Sequence, residues 1–143
     1  MLMFLLVDFA SPRPAYLQLR DQVVVGIATG ALHPGDPLPS VRRLASELNL
    51  NVHTINKAFA VLRQEGFIRL TERQGATVDP QLDATESTQT RLAAALTPLL
   101  AEFVVKGLGH EEIGQQVSRV LASMHAPTAA EPPSSYRRRA GER

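Results

Sequence analysis

Two short apolar stripes of helical period, separated by a three-residue break, constrain this chain more than anything else in it. Val41, Leu44, Ala45 and Leu48 fall at i, i+3, i+4 and i+7, and Ile55, Ala58, Phe59 and Leu62 repeat the same spacing. Each set marks one face of a helix. Ser40, following Pro39, is an N-cap residue type, and Gly66 ends the second helix, which runs from about Val52 to Glu65. Asn49-Leu50-Asn51 forms the break between them, since asparagine tolerates unusual backbone angles. Helices this short, so closely joined, bury their stripes by turning on one another, which is a helix-turn-helix.

The flanks complete a larger unit. Upstream, Tyr16, Leu19, Val23 and Ile27 predict a helix over about Ala15 to Thr29, with Gly30 as its terminator. Ser11-Pro12-Arg13-Pro14 separates that helix from Met3 to Phe9, which reads as a short strand or extended arm. His33-Pro34-Gly35-Asp36-Pro37 is a turn. Downstream, Ile68 and Leu70 alternate with Arg69 and Thr71, and Ala76 and Val78 alternate with Thr77, around Glu72-Arg73-Gln74-Gly75. That pattern is a hairpin with its apolar residues turned inward. The expected fold is mainly α with a small β-hairpin: a winged helix-turn-helix over residues 1–80, followed by a short two-helix dimerisation segment over 81–126.

Gln81 to Gln89 is polar and reads as a linker running into a helix. Leu92, Leu96, Leu99, Leu100, Phe103 and Val104 then form an apolar stripe that stops at Gly107-Leu108-Gly109. Pro98 lies inside it and is expected to kink the helix or split it near Thr97. A last helix from about Glu111 to Met124 turns Ile113, Val117, Val120, Leu121 and Met124 to one side. Two helices of this length are too small to support a core alone. The simplest partner is a second copy, so Leu92, Leu96, Leu99, Leu100, Phe103, Ile113, Val117, Val120 and Leu121 are the candidate dimerisation residues. Residues 127–143, rich in Pro, Ala, Ser and Arg, read as a disordered tail.

Composition narrows the function. Fifteen basic against 14 acidic residues exclude a polycationic nucleic-acid coat, and the absence of cysteine excludes thiolate zinc sites and cysteine nucleophiles. The four histidines fall in different elements without metal-ligand spacing, and no phosphate loop or nucleophile motif is present. No enzyme, metal or cofactor is expected. The apolar start, Met1 to Val7, is too short to span a membrane and lacks the flanks of a signal peptide, so a cytoplasmic protein without membrane contact is expected. The basic excess is local: residues 40–64 hold Arg42, Arg43, Lys57 and Arg63 against Glu47 alone, a net of +3.

The run Gly30-Ala31-Leu32-His33-Pro34-Gly35-Asp36-Pro37-Leu38-Pro39-Ser40-Val41-Arg42-Arg43-Leu44-Ala45 resembles the GntR family of bacterial transcription regulators. The likeness continues through Asn51-Val52-His53-Thr54-Ile55-Asn56-Lys57-Ala58-Phe59 and Glu65-Gly66-Phe67-Ile68, within a pattern covering residues 15–80. Two short helices after the wing resemble the YtrA subfamily, which has the smallest C-terminal region. The resemblance implies that Arg42 reaches DNA from the second helix and that the wing tip, Arg73, Gln74 and Gly75, enters the minor groove. It also implies a homodimer that binds an inverted-repeat operator and most often represses nearby genes.

The residues themselves supply a matching chemistry. A helix fits the major groove, and His53, Asn56 and Lys57 lie on the polar face near the start of the third helix. Asn pairs with adenine through two hydrogen bonds, and Lys donates to guanine or to phosphate. Asn51 and Thr54 are placed to donate to phosphate. Ser40 is a helix cap first and a phosphate donor second, and Arg43 divides evenly between a DNA contact and a solvated cation. Outside this motif all of these would read as an ordinary solvated face. The alternative function is a winged-helix protein-interaction module, against which the basic polar face of the third helix argues. A small-molecule effector of a dimeric regulator would sit between the two copies, because two helices cannot enclose a ligand cavity.

Overall fold

Helix formation begins where the proline-rich break ends. The computed structural model describes residues 5–79 and 85–124, and helix α1 spans Ala15–Ala28 behind Pro14. Proline is tolerated there because the missing N–H has no intrahelical partner to lose. Leu19 and Val23 are buried, while Tyr16 and Ile27 are half-buried against the same core. Among the described residues, the arm in front of α1 joins no sheet. Two glutamines of α1 act as its partner: Leu6 N–H donates to Gln22 Oε1 (2.6 Å) and Asp8 N–H to Gln18 Oε1 (2.9 Å). Gln18 Nε2 donates back to the Asp8 carbonyl (3.0 Å), and Leu5 enters the core. The part of the expected arm before Leu5 lies outside the described residues.

Helix α2 (Val41–Leu48) and helix α3 (Val52–Gln64) form the helix-turn-helix. Ser40 Oγ accepts from the Arg43 N–H (3.2 Å) and Asn51 Oδ1 from the His53 N–H (2.9 Å), so both helices carry a side-chain cap. Between them Asn49 takes the left-handed conformation, φ 53, and the Leu50 N–H returns to the Ala45 carbonyl. Leu44, Ala45, Ile55, Ala58 and Leu62 are buried together. Helix α1 packs across α3 and closes this core.

Strands β1 (Ile68–Thr71) and β2 (Gly75–Val78) form the antiparallel wing, with Ile68 opposite Val78 and Leu70 opposite Ala76. The expected alternation fails at two positions. Thr77, expected outward, is only 4% exposed. The turn before α2 acts as a third strand, bridging Pro37 to Thr77, with hydrogen bonds from Leu38 N–H to the Ala76 carbonyl and from Val78 N–H to the Asp36 carbonyl. β2 is therefore the central segment and is covered on both sides. Leu70, expected inward, is 54% exposed although Ala76 opposite it is buried, since Leu70 lies on the outer strand β1 and Ala76 on the central β2.

Helix α4 runs over Glu86–Val105 and helix α5 over His110–Met124. The helix therefore starts inside the stretch expected to be linker. Pro98 does not split it: α4 continues through the proline without a break. The ring removes one intrahelical hydrogen bond, at the Ala94 carbonyl, from a helix with more than two turns on its N-terminal side. Thr97 Oγ donates to the Ala93 carbonyl (2.8 Å) one position before. Gly107 (φ 98) closes α4, with Leu108 N–H donating to the Phe103 carbonyl. The Gly109 carbonyl receives the first bond of α5, from Ile113 N–H, so α5 begins one residue earlier than the sequence pattern indicates. Helices α4 and α5 pack on one another, and neither contains a buried residue. The expected tail, 127–143, lies outside the described residues.

Candidate nucleic-acid interface

The third helix presents one continuous polar face because its other face is spent on the core. Ile55, Ala58 and Leu62 are buried, which leaves His53, Asn56 and Lys57 exposed in the first two turns, with Thr54 half-buried beside them. Arg42 is exposed on the first turn of α2 and forms no ion pair or hydrogen bond among the described residues. Arg43 differs: its Nε donates to Glu47 Oε1 at 2.8 Å, one turn along the same helix. Both partners are more than half exposed, so this pair is weak and exchangeable.

The caps redefine two of the expected donors. Ser40 Oγ is engaged as an acceptor, and its hydroxyl proton stays available. Asn51 commits its carbonyl oxygen to the His53 N–H and keeps its NH2 group, the half of the amide that a phosphate oxygen needs. Lys57 is the one α3 cation with a partner on another element: Nζ sits 5.4 Å from the centroid of the Tyr16 ring on α1. Its apolar periodicity made Tyr16 a core residue, and nothing in the sequence showed that the ring faces a lysine.

The wing tip is built from its own backbone. Thr71 Oγ accepts from the Gln74 N–H (3.2 Å) and donates to the Gly75 carbonyl (3.3 Å), and Gly75 turns the chain at φ 66. A side chain at that φ would be strained, so glycine is required where the strand re-enters the sheet. Arg73 and Gln74 project as exposed side chains. Arg69 is drawn to Asp79 at the root of the wing (3.4 Å). Sequence reasoning also missed the Arg20 to Glu65 pair, which ties α1 to the end of α3.

None of the C-terminal residues expected at a dimer interface is buried. Leu92, Leu99, Phe103, Val117, Val120 and Leu121 are exposed, and Leu96, Leu100 and Ile113 are half-buried. No helix among the described residues is long and apolar enough to cross a membrane.

Residues 15–78, from the start of α1 to the end of β2, match the family described as bacterial regulatory proteins, gntR family. YtrA from Sulfolobus acidocaldarius, a GntR-family transcription factor of known structure, is 38% identical, with a TM-score of 0.56 over 68% of this chain and 97% of that one. The chain belongs to the GntR family. The repressor YtrA of Bacillus subtilis is 28% identical over 120 residues, 82% of this GntR chain and 92% of the relative, which places it with the YtrA-like members. A Listeria monocytogenes structure described as a transcriptional antiterminator has a TM-score of 0.78 at 21% identity, covering 88% of this chain and 96% of that one. This last likeness concerns the fold alone, and it covers too much of the chain to exclude α4 and α5. As a GntR protein the chain is a DNA-binding transcription regulator, not an enzyme. Every candidate DNA-contact residue, from Ser40 to Gly75, lies inside the matched span.

Proposed function

We propose that this GntR regulator is a repressor that binds an inverted-repeat operator as a homodimer joined through α4 and α5. The observation that carries the reading is a division of the surface. Donors and cations (Arg42, His53, Asn56 and Lys57) are exposed on α2 and α3, whereas the apolar stripes of α4 and α5 lie uncovered. Apolar stripes of this length cost free energy in water and favour a self-complementary contact around a two-fold axis. A two-fold dimer carries two copies of α3, which matches a DNA site with dyad symmetry.

Within each copy, residues 1–80 read DNA and 81–126 dimerise. Asn56 and His53 face base edges, and Arg42 makes a direct base contact. Asn51, Thr54, Lys57 and Ser40 hold phosphates, with Arg43 released from Glu47 to join them. Arg73, Gln74 and Gly75 enter the neighbouring minor groove. The B. subtilis relative is itself named a repressor. The protein acts in the cytoplasm, and any effector sits between the two copies.

Selection of binding sequences from a random duplex library, at stated salt, tests the reading. Enrichment of an inverted repeat supports it. A folded dimer that enriches nothing would favour the protein-interaction alternative, and a monomer that enriches single half-sites would refute the role of α4 and α5.

A further inference from the structure

The exposed cation on α3 that meets another element does so through an aromatic face. Tyr16 lies in the first turn of α1, half-buried against the core. The Lys57 ammonium stands 5.4 Å from its ring centroid, within the range at which the ring quadrupole attracts a cation. The ring packs partly buried against the core. One turn further along α1, Arg20 grips Glu65 at the end of α3, so the two helices are held in register beyond the contact. Lysine is otherwise a poor choice where position matters, because its charge rides on four flexible methylenes. An aromatic face suits the task, since it holds the ammonium without spending a carboxylate that would cancel its charge.

Resting on the reading of α3 as the DNA-facing helix, we propose that Tyr16 is a positioning residue for Lys57. Its ring seats the ammonium at the α1–α3 junction, so that the charge meets one backbone phosphate from a fixed place. Tyr16 then sets the orientation of the protein on the duplex through a residue on another helix. The Tyr16 hydroxyl forms no hydrogen bond among the described residues, so Tyr16→Phe keeps the ring and removes no internal bond.

The experiment is a double-mutant cycle on the full chain, read by fluorescence anisotropy with a mixed-sequence duplex of about 30 base pairs, whose binding rests on phosphate contacts. Lys57→Met is expected to weaken binding and to reduce the slope of log affinity against log salt by about one. Tyr16→Leu is expected to weaken binding roughly threefold, Tyr16→Phe to bind as the parent, and Tyr16→Leu to have no further effect once Lys57 is Met. Equal losses from Tyr16→Leu with and without Lys57 would overturn the proposal while leaving Lys57 on the DNA. An unchanged Lys57→Met would overturn both the proposal and that assignment of Lys57. Tyr16→Phe losing as much as Tyr16→Leu would also overturn it, since the hydroxyl would then be the active group. A measurement on the unmutated protein guards against a variant that fails to fold: the Lys57 ε-methylene protons are expected upfield of ordinary lysine by the ring current, and a random-coil position would refute the seat.

Discussion

Arg20 on α1 and Glu65 at the end of α3 meet in a two-pronged pair, Nε to Oε1 and Nη2 to Oε2, each 2.9 Å long. The residues are 45 apart in sequence. The guanidinium also lies 5.4 Å from the centroid of Phe67 and donates to Asp21, which is bound in turn by Arg13. The hydrogen bond to Glu65 is the main reason the Arg20 pKa rises above its ordinary value, against the opposing effect of partial burial. A cation with a raised folded pKa contributes stability at every pH below its unfolded pKa and loses it only as pH climbs through the folded one. For an arginine that window lies above the physiological range, so this pair should stay in force across it.

Glu65→Ala should accordingly lower the unfolding free energy by about 1 kcal/mol, towards the upper end for pairs that are still partly solvated. Urea titration at fixed protein concentration and neutral pH measures it. A change within error would place the pair among the surface contacts that add nothing.

Asn49 occupies the left-handed region between α2 and α3 with a side chain that tolerates it. Asn49→Gly should be close to neutral, and Asn49→Ala should cost about 1 kcal/mol, because a Cβ without a compensating polar group is strained there. Thermal unfolding of the two variants side by side separates this from a general loss of the turn.

Arg42 and Arg43 are neighbours with different commitments. Arg42 is unengaged among the described residues, while Arg43 is paired with Glu47. Arg42→Ala should weaken binding to a selected operator by about 1–3 kcal/mol, the scale of a lost base contact. Arg43→Ala should lose less, and the two titrations on one duplex decide the order. Equal effects would mean that the Glu47 pair opens at no cost.

Leu99 and Phe103, one turn apart on α4, are both exposed. The double change Leu99→Asp and Phe103→Asp should convert a dimer to monomers in sedimentation equilibrium while leaving the circular dichroism of the winged helix intact. Operator affinity should fall with it, since two half-sites would then be bound separately. A persistent dimer would move the interface off α4.

Much of the fold was legible because its signals are local. The stripes of α2 and α3, the cap Ser40, the break at Asn49 to Asn51 and the terminators Gly30 and Gly66 all act within a turn or two of themselves. Thr77 was misread because its burial depends on Pro37, forty residues earlier, which supplies a strand edge that no hairpin pattern contains. Leu70 departs for the complementary reason: a two-residue period says which face a side chain takes, not whether its strand is the outer or the central one, and Leu70 is exposed on β1 while Ala76 opposite it on β2 is buried. At Pro98 a residue-level penalty was set against a whole helix, and the helix prevailed. The polar face of α3 was readable as a face. Its sharing of Lys57 with Tyr16 was not, because that depends on how α1 crosses α3.

The wing combines two kinds of chain. Its root is fastened three ways, with β2 held between β1 and the turn at Asp36 to Leu38, and with Ile68, Thr77 and Val78 buried. Its tip, Glu72 to Gln74, carries no share of that burial. Substitutions at the tip can therefore accumulate without a folding penalty. Duplicated genes of this design can vary Arg73 and Gln74 while inheriting an unchanged scaffold, so that, on the proposal that the wing tip enters the minor groove, selection on binding proceeds there almost independently of selection on stability.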